Sequence, residues 1–227
     1  MSRCLVLDLD GTLVDSAPDL AAALNRLMAA RRLAPFALAE VAAMVGDGSQ
    51  VLIDRAFAAR GRTPDDRALA DYLADYADHV AVATIPYPGV AATLARLADA
   101  GWRMAVCTNK PEVLARAVLA ATGLADFFAA VGGGDSFATH KPDPAHLLAT
   151  LDAAGGEAGR AVMAGDHRND IVAAHGAGLP CIFAAWGYGP PDMAQSADAV
   201  AAEFAELPDL AERLLPRQTH PAATAMP

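Results

Sequence analysis

Asp8 and Asp10 stand at the end of a short apolar run, Arg3-Cys4-Leu5-Val6-Leu7, and are followed by Gly11-Thr12. In an extended chain residues i and i+2 share a side, so both carboxylates face one pocket while Leu9 points away. Three later apolar runs end in groups of the same kind. Residues 103–107 lead to Thr108-Asn109-Lys110, a short run near 130 leads on to Lys141, and residues 160–164 lead to Gly165-Asp166, with Asp170 four residues further on. Carboxylates, a hydroxyl and lysine gathered at four strand ends describe a hard-cation site joined to a phosphate site. Mg²⁺ takes oxygen ligands, usually one or two carboxylates together with substrate phosphate and water. Asp8 and Asp166 would supply those carboxylates. An ionised carboxylate attacking phosphorus would form an acyl phosphate, with metal and lysine neutralising the charge on the transferring group. Asp10 would protonate the leaving oxygen and then activate water.

These groups need elements to carry them. Residues 3–9 read as a strand buried on both faces. Ser16-Ala17-Pro18-Asp19 reads as a helix start, with Ser16 as cap, Pro18 in the first turn and Asp19 completing a capping box. Leu20, Leu24, Leu27 and Met28 then share one helical face. Further helices are expected at 37–44, 49–60 and 65–83, with no strand between 16 and 84. After Ile85-Pro86-Tyr87-Pro88-Gly89 the pattern alternates. Helices are expected at 90–100, 111–122, 143–154 and 169–177, and strands at 103–107, 129–131, 160–164 and 180–184. That alternation implies an α/β fold, a doubly wound parallel sheet with helices on both faces. Ligands in such sheets bind at the carboxyl ends of the strands. The expected organisation is a catalytic core of residues 1–15 and 85–215, interrupted by an all-helical insert at 16–84. The tail at 216–227, rich in Pro, Ala and Thr, is expected to be disordered.

Composition narrows the partners. The formal net charge of the 227 residues is −10 and there is no basic patch, so nucleic acid and anionic membranes are poor partners. No apolar run approaches the roughly 18 residues of a spanning helix, and the N-terminus lacks a signal-peptide pattern. Cys4, Cys107 and Cys181 are far apart and sit in apolar runs, as reduced buried thiols of a cytoplasmic protein would. Neither a monomer nor a homodimer is favoured.

Asp8-Leu9-Asp10-Gly11-Thr12-Leu13-Val14-Asp15-Ser16 resembles the nucleophile motif of the haloacid dehalogenase-like hydrolases. Thr108-Asn109, Lys141-Pro142 and Gly165-Asp166-x-x-x-Asp170 are similar to that family's other three motifs, in the same order. The resemblance extends to about residue 215, and within the family it is strongest to bacterial phosphoglycolate phosphatases, through Ala17-Pro18-Asp19-Leu20, Thr108-Asn109-Lys110-Pro111 and the helical insert. It implies a Rossmann-like core with a cap. Asp8 would be nucleophile and metal ligand, and Asp10 acid/base and metal ligand through its carbonyl. Thr108 and Asn109 would hold phosphoryl oxygens, Lys141 would stabilise nucleophile and phosphate, and Asp166 would bind Mg²⁺. Thr12, His167 and Asp170 would support from behind, with Asp170 orienting Lys141 or the metal's water. His167 departs from the family's Ser or Thr at that position. The insert would close over a small phosphorylated metabolite, with Gly46 and Asp47 as the first choice for substrate contact.

Plainer readings exist for each piece. Asp-x-Asp also occurs in turns, Thr108-Asn109 can cap a helix before Pro111, and Gly46-Asp47-Gly48 reads equally as a tight turn. What weighs against coincidence is the order of all four motifs. The reaction implied is hydrolysis of 2-phosphoglycolate to glycolate and phosphate. Its alternatives are a phosphatase for sugar phosphates, amino-sugar phosphates or pyrophosphate, or a phosphosugar mutase. A receiver-like signalling module is more remote, since receivers are shorter and lack the insert. A phosphonatase needs a cap lysine, and residues 16–84 contain none.

Overall fold

The computed structural model of the chain describes residues 3–215; the tail expected to be disordered lies outside them. Its centre is a parallel sheet of six strands: β1 (Arg3–Leu7), β4 (Trp102–Cys107), β5 (Ala130–Gly132), β6 (Ala161–Gly165), β7 (Cys181–Ala184) and β8 (Ala199–Ala201), ordered β5-β4-β1-β6-β7-β8. Alternation along β1 divides the core. Leu5 and Leu7 enter the cluster lined by α5 (Val90–Asp99), α6 (Glu112–Ala121) and α9 (Leu207–Leu214), whereas Cys4 and Val6 enter that of α7 (Pro144–Ala153) and α8 (Arg168–Gly176). Strands buried on both faces must be apolar throughout, as these are. From β1 the chain fills one side of the sheet through β4 and β5, then returns to the other side through β6. The strand order therefore reverses at β1, and ligands bind at such a point.

The expected α/β class is present, helices alone fill the stretch from Ala17 to Asp78, and several details differ. β1 stops at Leu7, although the Asp8 N–H still bonds Ala164 O at 2.9 Å. A two-stranded ribbon, β2 (Val14–Asp15) with β3 (Ile85–Pro86), stands where the helical block leaves and rejoins the core. β8 and α9 were not anticipated. The block itself holds α1 (Ala17–Ala30), α2 (Leu38–Ala42), α3 (Ser49–Ala59) and α4 (Ala68–Asp78). Leu20, Leu24, Leu27 and Met28 do share a buried face, packed with Ile53, Phe57, Tyr72 and Tyr76.

The expected caps at Ser16 and Asp19 do not form. The Ser16 hydroxyl donates to Asp10 instead, and the Tyr188 hydroxyl accepts from the N–H groups of Ser16 (2.7 Å) and Ala17 (2.9 Å). Asp19 instead accepts from the N–H groups of Ala83 and Thr84 and from the Thr84 hydroxyl. That capture is one reason α4 ends at Asp78 rather than running to 83: the chain from 79 to 84 is drawn to the base of α1. No described helix is long and apolar enough to cross a membrane. The three cysteines are free and buried.

Candidate active site

Asp8 leaves the carboxyl end of β1, the point where the strand order reverses. Its carboxylate accepts the Leu9 N–H at 2.7 Å and lies 2.9 Å from the Lys141 ammonium. Lys141 also pairs with Asp170, at 2.6 Å. Lys141 is 2% exposed and Asp170 0%, so solvent screens neither pair. Burial works against the lysine's charge, but Asp170 and Asp8 outweigh it and hold the ammonium above its ordinary range. For Asp8, burial prevails over Lys141, and with Asp170 adding its repulsion the carboxyl is pushed up to about 6. Burial, then Asp8 and Asp170, push Asp166 up to about 7.

Asp166 follows β6. One of its oxygens accepts from the Thr12 hydroxyl at 2.9 Å and the other from the Tyr188 N–H at 2.8 Å. Gly11 makes room for it: with φ +83°, a Cβ here would stand 2.3 Å from an Asp166 oxygen. Carboxylate oxygens of Asp8, Asp166 and Asp170 lie within 4.8 Å of one another and are all buried. Three carboxylates share one lysine, so the cluster is short of positive charge. An all-oxygen, acidic donor set of this kind fits a hard divalent cation, and the hydrogen bonds behind each carboxylate fix its direction.

The other lysine at these strand ends is committed elsewhere. Lys110 binds both oxygens of Asp10, at 2.9 and 3.0 Å, and lies 4.6 Å from the centre of the Tyr76 ring. Burial opposes the Lys110 charge, but Asp10 and Tyr76 hold it well above the usual lysine range. Thr108 and Asn109 follow β4. The Asn109 amide nitrogen donates to Lys141 O (2.9 Å) and Gly46 O (3.0 Å), which leaves its buried carbonyl oxygen without a partner among the described residues.

Above Asp8 and Asp10 a cleft of about 440 Å³, counting solvent at its mouth, separates the sheet from the helical block. Its walls include Thr108, Asn109 and Lys110 from the core, and Leu20, Val45, Gly46, Leu52 and Tyr72 from the block. The expected residues therefore sort into three groups. Asp8, Asp10, Thr108 and Asn109 line the cleft, with Gly46 opposite. Lys141, Asp166 and Asp170 stand beside or beneath Asp8, and Thr12 behind Asp166. Asp47 turns away, to Asn169 (2.6 Å) and Arg55. His167 caps α8, its ring nitrogen accepting the Asn169 N–H at 3.3 Å, and its face packs on Gly46, where a Cβ would approach to 2.6 Å. Burial holds His167 below the ordinary histidine range, so it stays a neutral acceptor.

Sequence reasoning assigned no role to Lys110, Tyr72, His146, Asn169 or the loop from Trp186 to Tyr188. His146 Nδ1 accepts the Lys141 N–H (3.2 Å) and Nε2 reaches Gly133 O (3.0 Å), which clamps the lysine's loop. Trp186 donates to Thr12 O, while Tyr188 spans Asp166 and the start of α1. This loop follows β7, so inspecting one more strand end would have found it. Lys110 follows Asn109 directly. Tyr72 carried no signal beyond an apolar helical face.

Comparison with known proteins agrees with this geometry. Residues 3–178 match the haloacid dehalogenase-like hydrolases. A phosphoglycolate phosphatase from Mesorhizobium japonicum is 43% identical over 227 residues, covering 97% of this chain and 100% of that protein. One from Rhodospirillum rubrum is 46% identical over 218 residues, covering 92% and 90%. Among solved structures, a predicted phosphoglycolate phosphatase from Haemophilus somnus aligns with a TM-score of 0.84 at 30% identity, over 92% of this chain and 97% of that one. CbbY from Rhodobacter sphaeroides, in complex with phosphate, aligns at 0.77 and 27% identity, over 91% and 96%. With a match over most of its length and relatives this similar along nearly all of it, the chain belongs to the haloacid dehalogenase-like hydrolase family.

Proposed function

We propose that this chain is a cytoplasmic, magnesium-dependent phosphatase that hydrolyses 2-phosphoglycolate to glycolate and phosphate through an aspartyl phosphate on Asp8. The observation that carries the reading is the setting of Asp8. Its carboxylate is buried, paired with Lys141 and open to the cleft between sheet and helical block, with Asp10 beside it. Phosphoglycolate as substrate rests on the similarity to the phosphatases from Mesorhizobium and Rhodospirillum.

In the first half-reaction an Asp8 oxygen attacks phosphorus as the bond to the ester oxygen breaks, and protonated Asp10 delivers its proton to that leaving oxygen. In the second, Asp10 as carboxylate takes a proton from water, whose oxygen attacks phosphorus. The Asp8–phosphorus bond breaks and phosphate departs, with both carboxyl groups restored. Lys110 and the Ser16 hydroxyl support the carboxylate form of Asp10 that the second half uses. Lys141 offsets charge beside Asp8 throughout. Asp8 and Asp166, the Asp10 carbonyl and Asp170 behind them would hold Mg²⁺, which when bound supplies positive charge to the phosphoryl oxygens.

Residues 16–84 are the proposed cap. Tyr188 ties the start of α1 to the core, and within the block Asp19 holds residues 83–84 against α1, so both crossings, where a closing motion would turn, are fixed by hydrogen bonds. Phosphate release with magnesium across 2-phosphoglycolate, pyrophosphate, sugar phosphates and amino-sugar phosphates tests the reading. A preference for 2-phosphoglycolate in kcat/KM is expected. Preference for another ester would keep the chemistry and replace the substrate, and turnover unaffected by a chelator would remove the mechanism.

A further inference from the structure

Two features of the cleft can reach beyond the reacting groups. The first is Lys110, which pairs with Asp10 and is the one cation among the residues that line the cleft. The second is the Tyr72 hydroxyl. Tyr72 is 1% exposed and lines the same cleft, yet its oxygen has no hydrogen-bond partner among the described residues. A buried hydroxyl without a partner costs about 1–3 kcal/mol, so a fold retains one where a ligand completes it. The two groups are linked: the Tyr72 ring stacks on Tyr76 with centroids 6.2 Å apart, and the Lys110 ammonium lies over the Tyr76 ring. Burial pushes the Tyr72 phenol up, so it remains a neutral donor. The other side chains that the block contributes to the wall are Leu20, Val45 and Leu52, with Ser49 the one further hydroxyl.

We propose that Lys110 and Tyr72 form a carboxylate-reading subsite for the leaving-group end of the substrate, beside Asp10 and across the cleft from Asp8. This rests on the phosphatase reading above and names the residues that choose among its substrates. One ammonium and one hydroxyl donor match the acceptors of a single carboxylate, while Leu20, Val45 and Leu52 offer nothing to the hydroxyls of a sugar. Lys110 already holds a carboxylate, that of Asp10, so a substrate anion need only join an existing cation. The cap supplies the neutral donor and the core supplies the charge, which makes recognition depend on the closed arrangement.

The test compares 2-phosphoglycolate with ethyl phosphate, a two-carbon ester without the carboxylate, in the full-length protein with magnesium. Wild type is expected to prefer 2-phosphoglycolate in kcat/KM. Tyr72→Phe should lower that preference about tenfold and Lys110→Met about a hundredfold, the range for hydrogen bonds to a charged group. Lys110→Met also slows both substrates by freeing Asp10, so the ratio is the quantity that decides. An unchanged ratio in either variant overturns the proposal, as does a wild type without preference; both leave the phosphatase reading standing. A wild type that hydrolyses neither ester overturns that reading itself. Calorimetric binding of the two esters to Asp8→Asn gives the same ratio without turnover, and the same order of affinities is expected.

Discussion

At the end of β1, Asp8, Lys141, Asp166 and Asp170 are almost wholly withdrawn from water, whereas the ion pairs of the helical block, Arg26–Asp75 and Arg31 with Asp65 and Asp71, are open to it. Both regions use the same residue types. In the first, removing one partner leaves a charge with neither solvent nor counter-ion, so each group depends on the others. In the second, water replaces whatever is lost. The proposed chemistry is thus concentrated where substitution costs most, and the cleft wall facing it belongs to a block held mainly by its apolar cluster of Leu24, Ile53, Phe57 and Tyr72.

The largest break is at Asp8, the proposed nucleophile. Asp8→Asn should lower kcat by at least about a thousandfold while circular dichroism remains that of wild type; retained activity would move the nucleophile elsewhere. Lys141→Met leaves Asp8 and Asp170 facing one another, and urea melts of the metal-free protein should show a loss of about 3–5 kcal/mol. A loss below 1 kcal/mol would mean that the pair is not buried in solution.

His146 tests whether the same dependence extends to the loop that carries Lys141. Burial, with Lys141 adding to it, lowers this histidine to about 4. Between that value and about 6.5 the unfolded chain binds the extra proton, so stability rises with pH. The clamp is complete above about pH 6.5 and is lost as pH falls through about 4. The stability difference between wild type and His146→Gln should therefore shrink by about 3 kcal/mol over that window; a difference independent of pH would refute a neutral, buried His146. Asn169→Ala removes one of two amides that tie Gly46 and Asp47 to the core. A cost of about 1 kcal/mol is expected in thermal melts, with a higher KM. Arg26→Gln, at the open surface, should leave the melting curve unchanged. If it does not, the contrast between the regions is weaker than drawn here.

Much of this molecule was legible locally. Buried parallel strands read as unbroken apolar runs, and the carboxyl ends of such strands are where ligands gather, so Asp8, Asp10, Thr108, Lys141 and Asp166 could be named from position and residue type. Elements of two or three residues, such as β2, β3 and β8, carry too few positions for a period to show. Ser16 and Asp19 spelled a helix cap correctly by local rules, yet partners 6 and 64 positions away took their side chains. The same holds for Asn109, whose amide nitrogen is taken by Gly46 and Lys141. The sequence by itself determined the five sheet strands from β1 to β7 that carry the site, which charges stand at their ends and what reaction those charges suit, because these follow from neighbouring residues and hydrophobic period. Only the tertiary structure decided which lysine serves which aspartate, which tyrosine reaches the cleft and what anchors the helical block. Those choices depend on distances between groups far apart in the chain, and burial decides how strongly each one counts.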